Sequence, residues 1–399
     1  MNQYHSIYLP QFTMGEDAFG TFPERIGRGR KAAVICGKQA WEASKDYVLP
    51  SLEQAEIIVT GAVVYGKDAT WENVKRLERE PAVQEADVIL AVGGGKCIDT
   101  VKVVGDRLSK PVYTIPSIAS NCAPITQISI LYHEDGSFRE ILKLKNVPVH
   151  CFINPKLTLA APVRYLWAGI GDAMAKHVES AWSAKAGEAL DYGSALGITA
   201  GSMCFYPMLE KAEKAMEDAA KGVISRELEE TILNIIISPG IVSVSAHPDY
   251  NGGIAHALFY GMTSRKCIEE RHLHGEVVAY GMLVNLMADH DWEKLSRAWR
   301  LSKAIKLPVC LGDLELDPTD TLSLPLGVQE VPDFLDLYLD GRNLYCFELH
   351  DTPLMRPQRL PENFDHGSVY GLYLQGREFE RQFFLSAAAD KYREALAKD

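Results

Sequence analysis

The stretch Val88–Gly105, VILAVGGGKCIDTVKVVG, constrains the fold more than any other part of the chain. An unbroken apolar run enters three consecutive glycines, and a helical pattern carrying Lys96 and Asp99 leaves them. A strand that is apolar without alternation is buried on both faces, as in a parallel sheet covered by helices. Glycines between such a strand and a helix let backbone N–H groups approach a ligand, and the helix N-terminus adds partial positive charge. The expected guest is a phosphate or diphosphate over Gly93, Gly94 and Gly95. Lys96 would add charge, and Asp99 would favour the helix dipole from the first turn. A tight turn with a capping aspartate accounts for the same residues with no ligand. The spacing is neither a Walker loop nor a standard Rossmann fingerprint.

The surroundings of this stretch extend the pattern. KAAVICG (Lys31–Gly37), EIIVTGAVVYG and PVYTIPS read as strands, and TWENVKRLEREP as an amphipathic helix closed by Pro81. Strands alternating with helices predict a Rossmann-like α/β domain over residues 1–160. ISILYHEDGSFREIL predicts a hairpin about Asp135-Gly136. After Pro162 long alanine-rich segments carry apolar residues three and four apart. They predict an all-α domain over 161–399, with a ligand cleft between the two. Residues 312–377 are proline-rich in two stretches and carry no clear period.

Composition excludes some functions. With 41 basic and 53 acidic residues, the net charge of -12 argues against a nucleic-acid binder and against an anionic membrane surface. The opening MNQYHSIYLPQF lacks the pattern of a secretory signal, and no apolar run is long enough to span a bilayer. The eight cysteines are scattered with no C-x-x-C pair. Reduced thiols and a cytoplasmic location are the expectation.

GGGKCIDTVK, TIPSIASNCAP, AGIGDAMAKHVES, GGIAHALFYG and HLHGEVVAYG follow one another along the chain. Together they resemble the iron-containing alcohol dehydrogenase superfamily in its glycerol dehydrogenase branch, over roughly residues 30 to 300. That resemblance implies a dinucleotide-binding α/β domain, a helical domain and a catalytic cleft between them, in a homo-oligomer. It implies NAD or NADP with the diphosphate along Gly94, Gly95 and Lys96. Ser117 and Ser120 would continue the cofactor site, and Thr126, Ile128 and Tyr132 would surround the nicotinamide and its ribose. Ile128 and Tyr132 also fit a plain strand core.

An isolated histidine in a helix is ordinarily a core or surface residue. Asp172, His256 and His274, however, stand in contexts that match the family's metal ligands. One carboxylate and two imidazoles leave open coordination positions, as catalytic zinc requires, and iron or nickel suits the same donors. His177, His247 and His272 lack such contexts.

Departures from the family pattern point to the substrate. Cys122 replaces an aspartate that contacts polyols, and a thiol is a weak acceptor; the expectation is pocket lining rather than a nucleophile. Lys176 stands four residues after Asp172, on the same helix face, where iron-dependent relatives carry a histidine. It is expected to pair with a substrate carboxylate beside the metal. Phe259 and Tyr260 occupy the place of a second histidine, leaving Tyr260 or water to relay a proton. Lys38 follows Gly37 where an acidic residue would favour NAD, so NADP is the expected preference.

The leading expectation is therefore a metal-dependent NAD(P) oxidoreductase acting on a small 2-oxo or 2-hydroxy acid. A glycerol, polyol or alcohol dehydrogenase is the second. A dehydroquinate synthase-like cyclase, with Lys176, Arg164 and Arg265 as its basic grip, and a non-catalytic cofactor-binding protein are the rivals.

Overall fold

The computed structural model describes residues 7–185, 190–263, 265–316, 365, 367–370, 372–375 and 390–398, and the backbone alone of 328–331, 334–339, 342–348 and 385–389. Two compact units are present, Met1–Leu316 and Asp317–Asp399.

The strands of the first unit are β1 (Phe12–Met14), β2 (Lys31–Cys36), β3 (Ile58–Val64), β4 (Val88–Gly93), β5 (Val112–Pro116), β6 (Ile128–Tyr132), β7 (Phe138–Lys143) and β8 (His150–Ile153). Six of them form a parallel sheet in the order β1-β8-β5-β4-β2-β3. Between them lie α1 (Phe22–Arg25), α2 (Lys38–Gln54), α3 (Trp71–Glu78), α4 (Pro81–Glu85) and α5 (Gly95–Leu108). Every residue of β4 is buried, as its unbroken apolar run requires. Residues of alternate parity on β2 and β4 feed separate cores. Val34, Val88, Leu90 and Val92 join Phe22 and Phe152 on one face, while Ala33, Ile35, Ile89 and Ala91 meet Ile98 and Val101 on the other. The sheet order reverses between β2 and β4, so their C-terminal ends open the crevice where doubly wound folds bind ligands.

β6 and β7 form a separate antiparallel hairpin whose turn holds Gly136 at φ 89. Glycine alone adopts that left-handed backbone readily.

After α6 (Pro155–Ala160) the elements from Arg164 to Leu314 are helical. They include α7 (Arg164–Lys185), α8 (Tyr192–Gly201), α9 (Tyr206–Ala220), α10 (Arg226–Ser245), α11 (Ile254–Met262), α12 (Lys266–Arg271), α13 (His274–Ala288) and α14 (Trp292–Ile305). The change of secondary structure near residue 160 falls inside one compact unit. Ile170, Met174, Ile232, Ile235, Val278 and Met282 make the centre of this helical layer. Among the described residues one helix, α10, is long and apolar enough to cross a membrane; 67% of that window is buried in this core.

The second unit corrects the all-α expectation for 161–399. β9 (Val328–Val331), β10 (Phe334–Leu339) and β11 (Arg342–Glu348) form an antiparallel sheet in the order β11-β10-β9. FLDLYL alternates with a period of two and NLYCFE is rich in β-formers, signals hidden by the prolines around them. α15 (Leu385–Lys398) closes the unit, in agreement with the helical pattern at the C-terminus.

Candidate metal centre and dinucleotide cleft

α5 begins directly at the end of β4, with Gly94 as its N-cap and no side-chain cap. Its first-turn N–H donors thus have no side-chain cap, an arrangement that would suit a phosphate. None of the three glycines adopts positive φ. They are needed for closeness instead. A Cβ would lie 2.7 Å from the Cys97 Cβ at Gly93, 2.7 Å from Ile118 at Gly94 and 2.7 Å from the Asn121 amide at Gly95.

Loop 117–122 therefore packs directly on the bend. Ser117 donates its N–H to the Gly93 carbonyl at 3.1 Å and is buried, while Ser120 is half-buried. The opposite side of the loop meets α7: a Cβ at Gly169 would lie 2.6 Å from the Ala119 carbonyl oxygen. This loop thus lies between the glycine bend and the helix that carries Asp172.

One expectation about the bend needs revision. Asp99 is not a first-turn residue: α5 has no acidic group there, and Asp99 is the fifth residue of the helix. Its carboxylate is buried, 2.9 Å from the Lys102 ammonium, and accepts from the Ile130 N–H at 3.4 Å. Burial raises its pKa, against the opposing effect of Lys102. Lys96, beside the bend, is ion-paired with Asp68 and lies 5.0 Å above the Tyr132 ring. Thr126 is buried, Ile128 and Tyr132 are half-buried on β6, and Lys38 is exposed in the first turn of α2.

The metal candidates come together. Ligand atoms of Asp172, His256 and His274 all lie within 4.8 Å of one another. Asp172 Oδ1 is 3.4 Å from His256 Nε2 and 3.2 Å from His274 Nε2. The helices bearing them touch through small residues. A Cβ at Gly275 would lie 2.1 Å from the Ala168 carbonyl oxygen, one at Gly171 2.5 Å from the Gly275 oxygen, and one at Gly281 2.7 Å from Ala255 Cα. Glycines beside the ligands are thus what lets α7, α11 and α13 close on one point.

His256 is oriented from behind by Glu179, a residue the sequence reading did not single out. The fully buried Glu179 carboxylate accepts the His256 backbone N–H at 2.8 Å and meets Nδ1 at 2.6 Å. With Nδ1 held by Glu179, Nε2 is the ring nitrogen presented beside Asp172, 3.4 Å from its Oδ1. Burial would lower the His256 pKa, but Glu179 and Asp172 outweigh it and raise it to about 10. Burial would likewise raise Asp172, and its bonds to His256 and His274 instead hold it well below the usual carboxylate range. An anion and two imidazole nitrogens converging within 4.8 Å of one another fit a divalent cation. Glu179 lies seven residues after Asp172, on the same helix face, and this acidic residue in an apolar stripe was the available signal.

Lys176 donates to the Asn251 carbonyl at 2.7 Å. Cys122 is half-buried, with its thiol pushed up to about 11 by burial, lowered by Lys176 and raised by Asp172. A neutral thiol is a poor nucleophile, in line with pocket lining. Tyr260 is half-buried, its phenol pushed up to about 12 by burial and by Asp172 and Glu179. Phe259 stands edge-on to His274, with ring centroids 4.3 Å apart. Of the other histidines, His272 meets Glu276 at 2.8 Å, His247 accepts from the Asp249 N–H, and His177 is buried between Phe205 and Tyr206. Arg164 reaches the Arg271 carbonyl at 3.4 Å.

A glycine bend at the end of a parallel-sheet strand and an aspartate–histidine cluster that could hold a metal ion are the features of a metal-dependent dehydrogenase fold. Comparison with known proteins fixes the class. A family model for iron-containing alcohol dehydrogenases matches residues 10–155. The glycerol dehydrogenase of Escherichia coli O6:H1 is 31% identical over 274 residues, covering 67% of this chain and 72% of the relative. Hydroxycarboxylate dehydrogenase A of Escherichia coli K12 is 28% identical, covering 72% and 78%. The crystal structure of glycerol dehydrogenase from Schizosaccharomyces pombe superposes with a TM-score of 0.71 at 21% identity, covering 99% of this chain and 92% of that one. A probable glycerol dehydrogenase from Sinorhizobium meliloti 1021 gives 0.70 at 23% identity, covering 79% and 87%.

The chain belongs to the iron-containing alcohol dehydrogenase family, in its glycerol dehydrogenase-like branch. It is an NAD(P)-dependent dehydrogenase acting on CH–OH groups, and its family uses a divalent metal. Dehydrogenase chemistry thus replaces the cyclase and the non-catalytic alternatives.

Proposed function

We propose that this dehydrogenase interconverts a small 2-oxo acid and its 2-hydroxy acid, with NADP preferred over NAD. The observation that carries the proposal is Lys176. It stands one helical turn from Asp172, and its charge is felt at the Cys122 thiol. Of its three N–H donors, one goes to the Asn251 carbonyl, leaving capacity for an anionic group.

Asp172, His256 and His274 would hold the divalent ion. A bound ion would supply Lewis-acid polarisation of a substrate carbonyl, and a bound nicotinamide the hydride. The chain's own residues align these partners. Glu179 fixes the His256 imidazole, and the α5 N-terminus orients the dinucleotide. Lys176 would grip the substrate carboxylate so that the carbonyl faces the hydride donor. Phe259 packs edge-on against the His274 ring and lines the pocket on that side.

Lys176→Met tests the proposal. Loss of a charge-assisted bond costs roughly 1.5–3 kcal/mol, on the order of 10- to 100-fold in kcat/KM. That loss should appear with 2-oxo acids and be much smaller with a neutral aldehyde. Equal losses on both would remove Lys176 from substrate binding. Oxidation of a polyol is the second reading, favoured by the similarity to glycerol dehydrogenases. Turnover of glycerol exceeding that of any 2-hydroxy acid would establish it.

A further inference from the structure

We propose that Lys102 is a positioning residue that locks the nicotinamide side of the cleft to the diphosphate side. Lys102 lies on α5, yet it is only 3% exposed, which is rare for a lysine. Its ammonium is 2.9 Å from Asp99 Oδ1, 3.2 Å from the Thr126 carbonyl and 3.3 Å from Thr126 Oγ1, and it also donates to the Ile128 carbonyl. Asp99 completes the clasp by accepting the Ile130 N–H. An ammonium with this many oxygen partners offsets the desolvation of its charge.

The clasp joins two parts of the site that the chain separates. One is the helix whose first turn forms the glycine bend. The other is the β6–β7 hairpin with Thr126, Ile128 and Tyr132. The far end of this hairpin leans on the helical half: Phe138 packs against Tyr260 of α11 with ring centroids 5.4 Å apart, and a Cβ at Gly136 would come 3.2 Å from the Glu269 carboxylate. Since α11 also bears His256, Lys102 anchors the near end of a strap whose other end touches the metal helix. The inference rests on the reading of the hairpin as the nicotinamide wall.

A caged lysine elsewhere separates positioning from mere stability. Lys110 donates to the carbonyls of Val83 at 2.7 Å, Gln84 at 2.7 Å and Ala86 at 2.6 Å. It stands at the N-terminal ends of β4 and β5, away from the cleft.

Lys102→Met and Lys110→Met in the full chain should both lower Tm. Only Lys102→Met should speed amide hydrogen exchange over Ile128–Lys143 in the cofactor-free protein. It should also raise the Kd for NADH and NADPH at least tenfold, measured by fluorescence titration, and lower kcat; Lys110→Met should leave these within twofold. Unchanged exchange and Kd in Lys102→Met, or equal losses in both variants, overturn the proposal. Faster exchange in a chain whose wild type binds neither dinucleotide would keep the clasp and reject the cofactor reading instead. If Lys102→Met does not fold, Asp99→Asn should show the same split at smaller size, and unchanged exchange there would refute it.

Discussion

His256 Nδ1 sits 2.6 Å from a Glu179 carboxylate oxygen, at the bottom of the cluster that Asp172 and His274 complete. The contact fixes both the tautomer and the ring plane of His256. It also adds negative charge behind the imidazole, which makes Nε2 a better donor. Glu179→Gln keeps the shape and removes the charge. Zinc affinity, measured by competition with a chromophoric chelator, should fall about 10- to 100-fold. Unchanged affinity would reduce Glu179 to a packing residue.

The glycines between the ligand helices carry a second expectation. A methyl group at position 275 would meet the Ala168 carbonyl at 2.1 Å, and backbone cannot yield as a flexible side chain does. Gly275→Ala should therefore push α13 from α7 and separate His274 from Asp172. Overpacking of this kind costs roughly 1–3 kcal/mol of stability. Bound metal in the purified variant should fall with it, while Gly20→Ala, where a Cβ meets nothing within 4 Å, should retain full metal content.

Removal of the ion should be reversible and visible in stability. Helix packing through Gly171 and Gly275 holds Asp172 close to the two imidazoles, so the cluster should rebind an ion. Dialysis against a chelator should abolish hydride transfer and lower Tm; an ion at 100 times its Kd restores about 2.7 kcal/mol. A chelated enzyme with full activity would dismiss the cluster as a catalytic centre.

Buried histidines away from the cleft set the acid limit of stability. Burial and nearby Lys294 hold His177 down to about 4, and burial with Arg25 holds His150 down to about 4. In the unfolded chain both take up protons near pH 6.5. Between those values the unfolded state binds more protons, so stability is full above about pH 6.5 and falls as pH drops toward 4. For His177, only 6% exposed, the full loss is about 3 kcal/mol. Urea midpoints at pH 7, 5.5 and 4.5 would follow it. His177→Leu should flatten this limb, and an equally steep limb would exonerate His177.

Much of the site was legible because its residues sit in local patterns. The apolar run of β4, the glycines after it and the Asp135-Gly136 hairpin all announce themselves within a dozen residues. β1 and β8 were not legible: one is three residues long, and HCFI is too short for periodicity to speak. Asp99 was misplaced because the helix starts at Gly95, which moves it past the first turn and into the hydrophobic interior. Its partners on β6 are some thirty residues away, beyond any local pattern. The pairing of Lys96 with Asp68 was likewise beyond local pattern, since it depends on the parallel strands that bring those loops together.

Cofactor choice is the remaining expectation, and it turns on Lys38. β2 ends at Cys36, next to β4, so Gly37 and Lys38 emerge beside the glycine bend at the same edge of the sheet. Gly37 donates its N–H to the Val92 carbonyl at 3.0 Å, which ties the two loops together. A ribose held over this edge places its 2′ position near the end of β2, the point where an acidic residue would accept from a hydroxyl. A lysine cannot accept, but it attracts a 2′-phosphate. Lys38→Glu should therefore lower kcat/KM with NADP by about tenfold or more and leave or improve the value with NAD. The measurement is initial-rate kinetics with both cofactors in both proteins. A wild type that prefers NAD, or a variant with an unchanged ratio, would show that Lys38 is only a solvated helix-start residue.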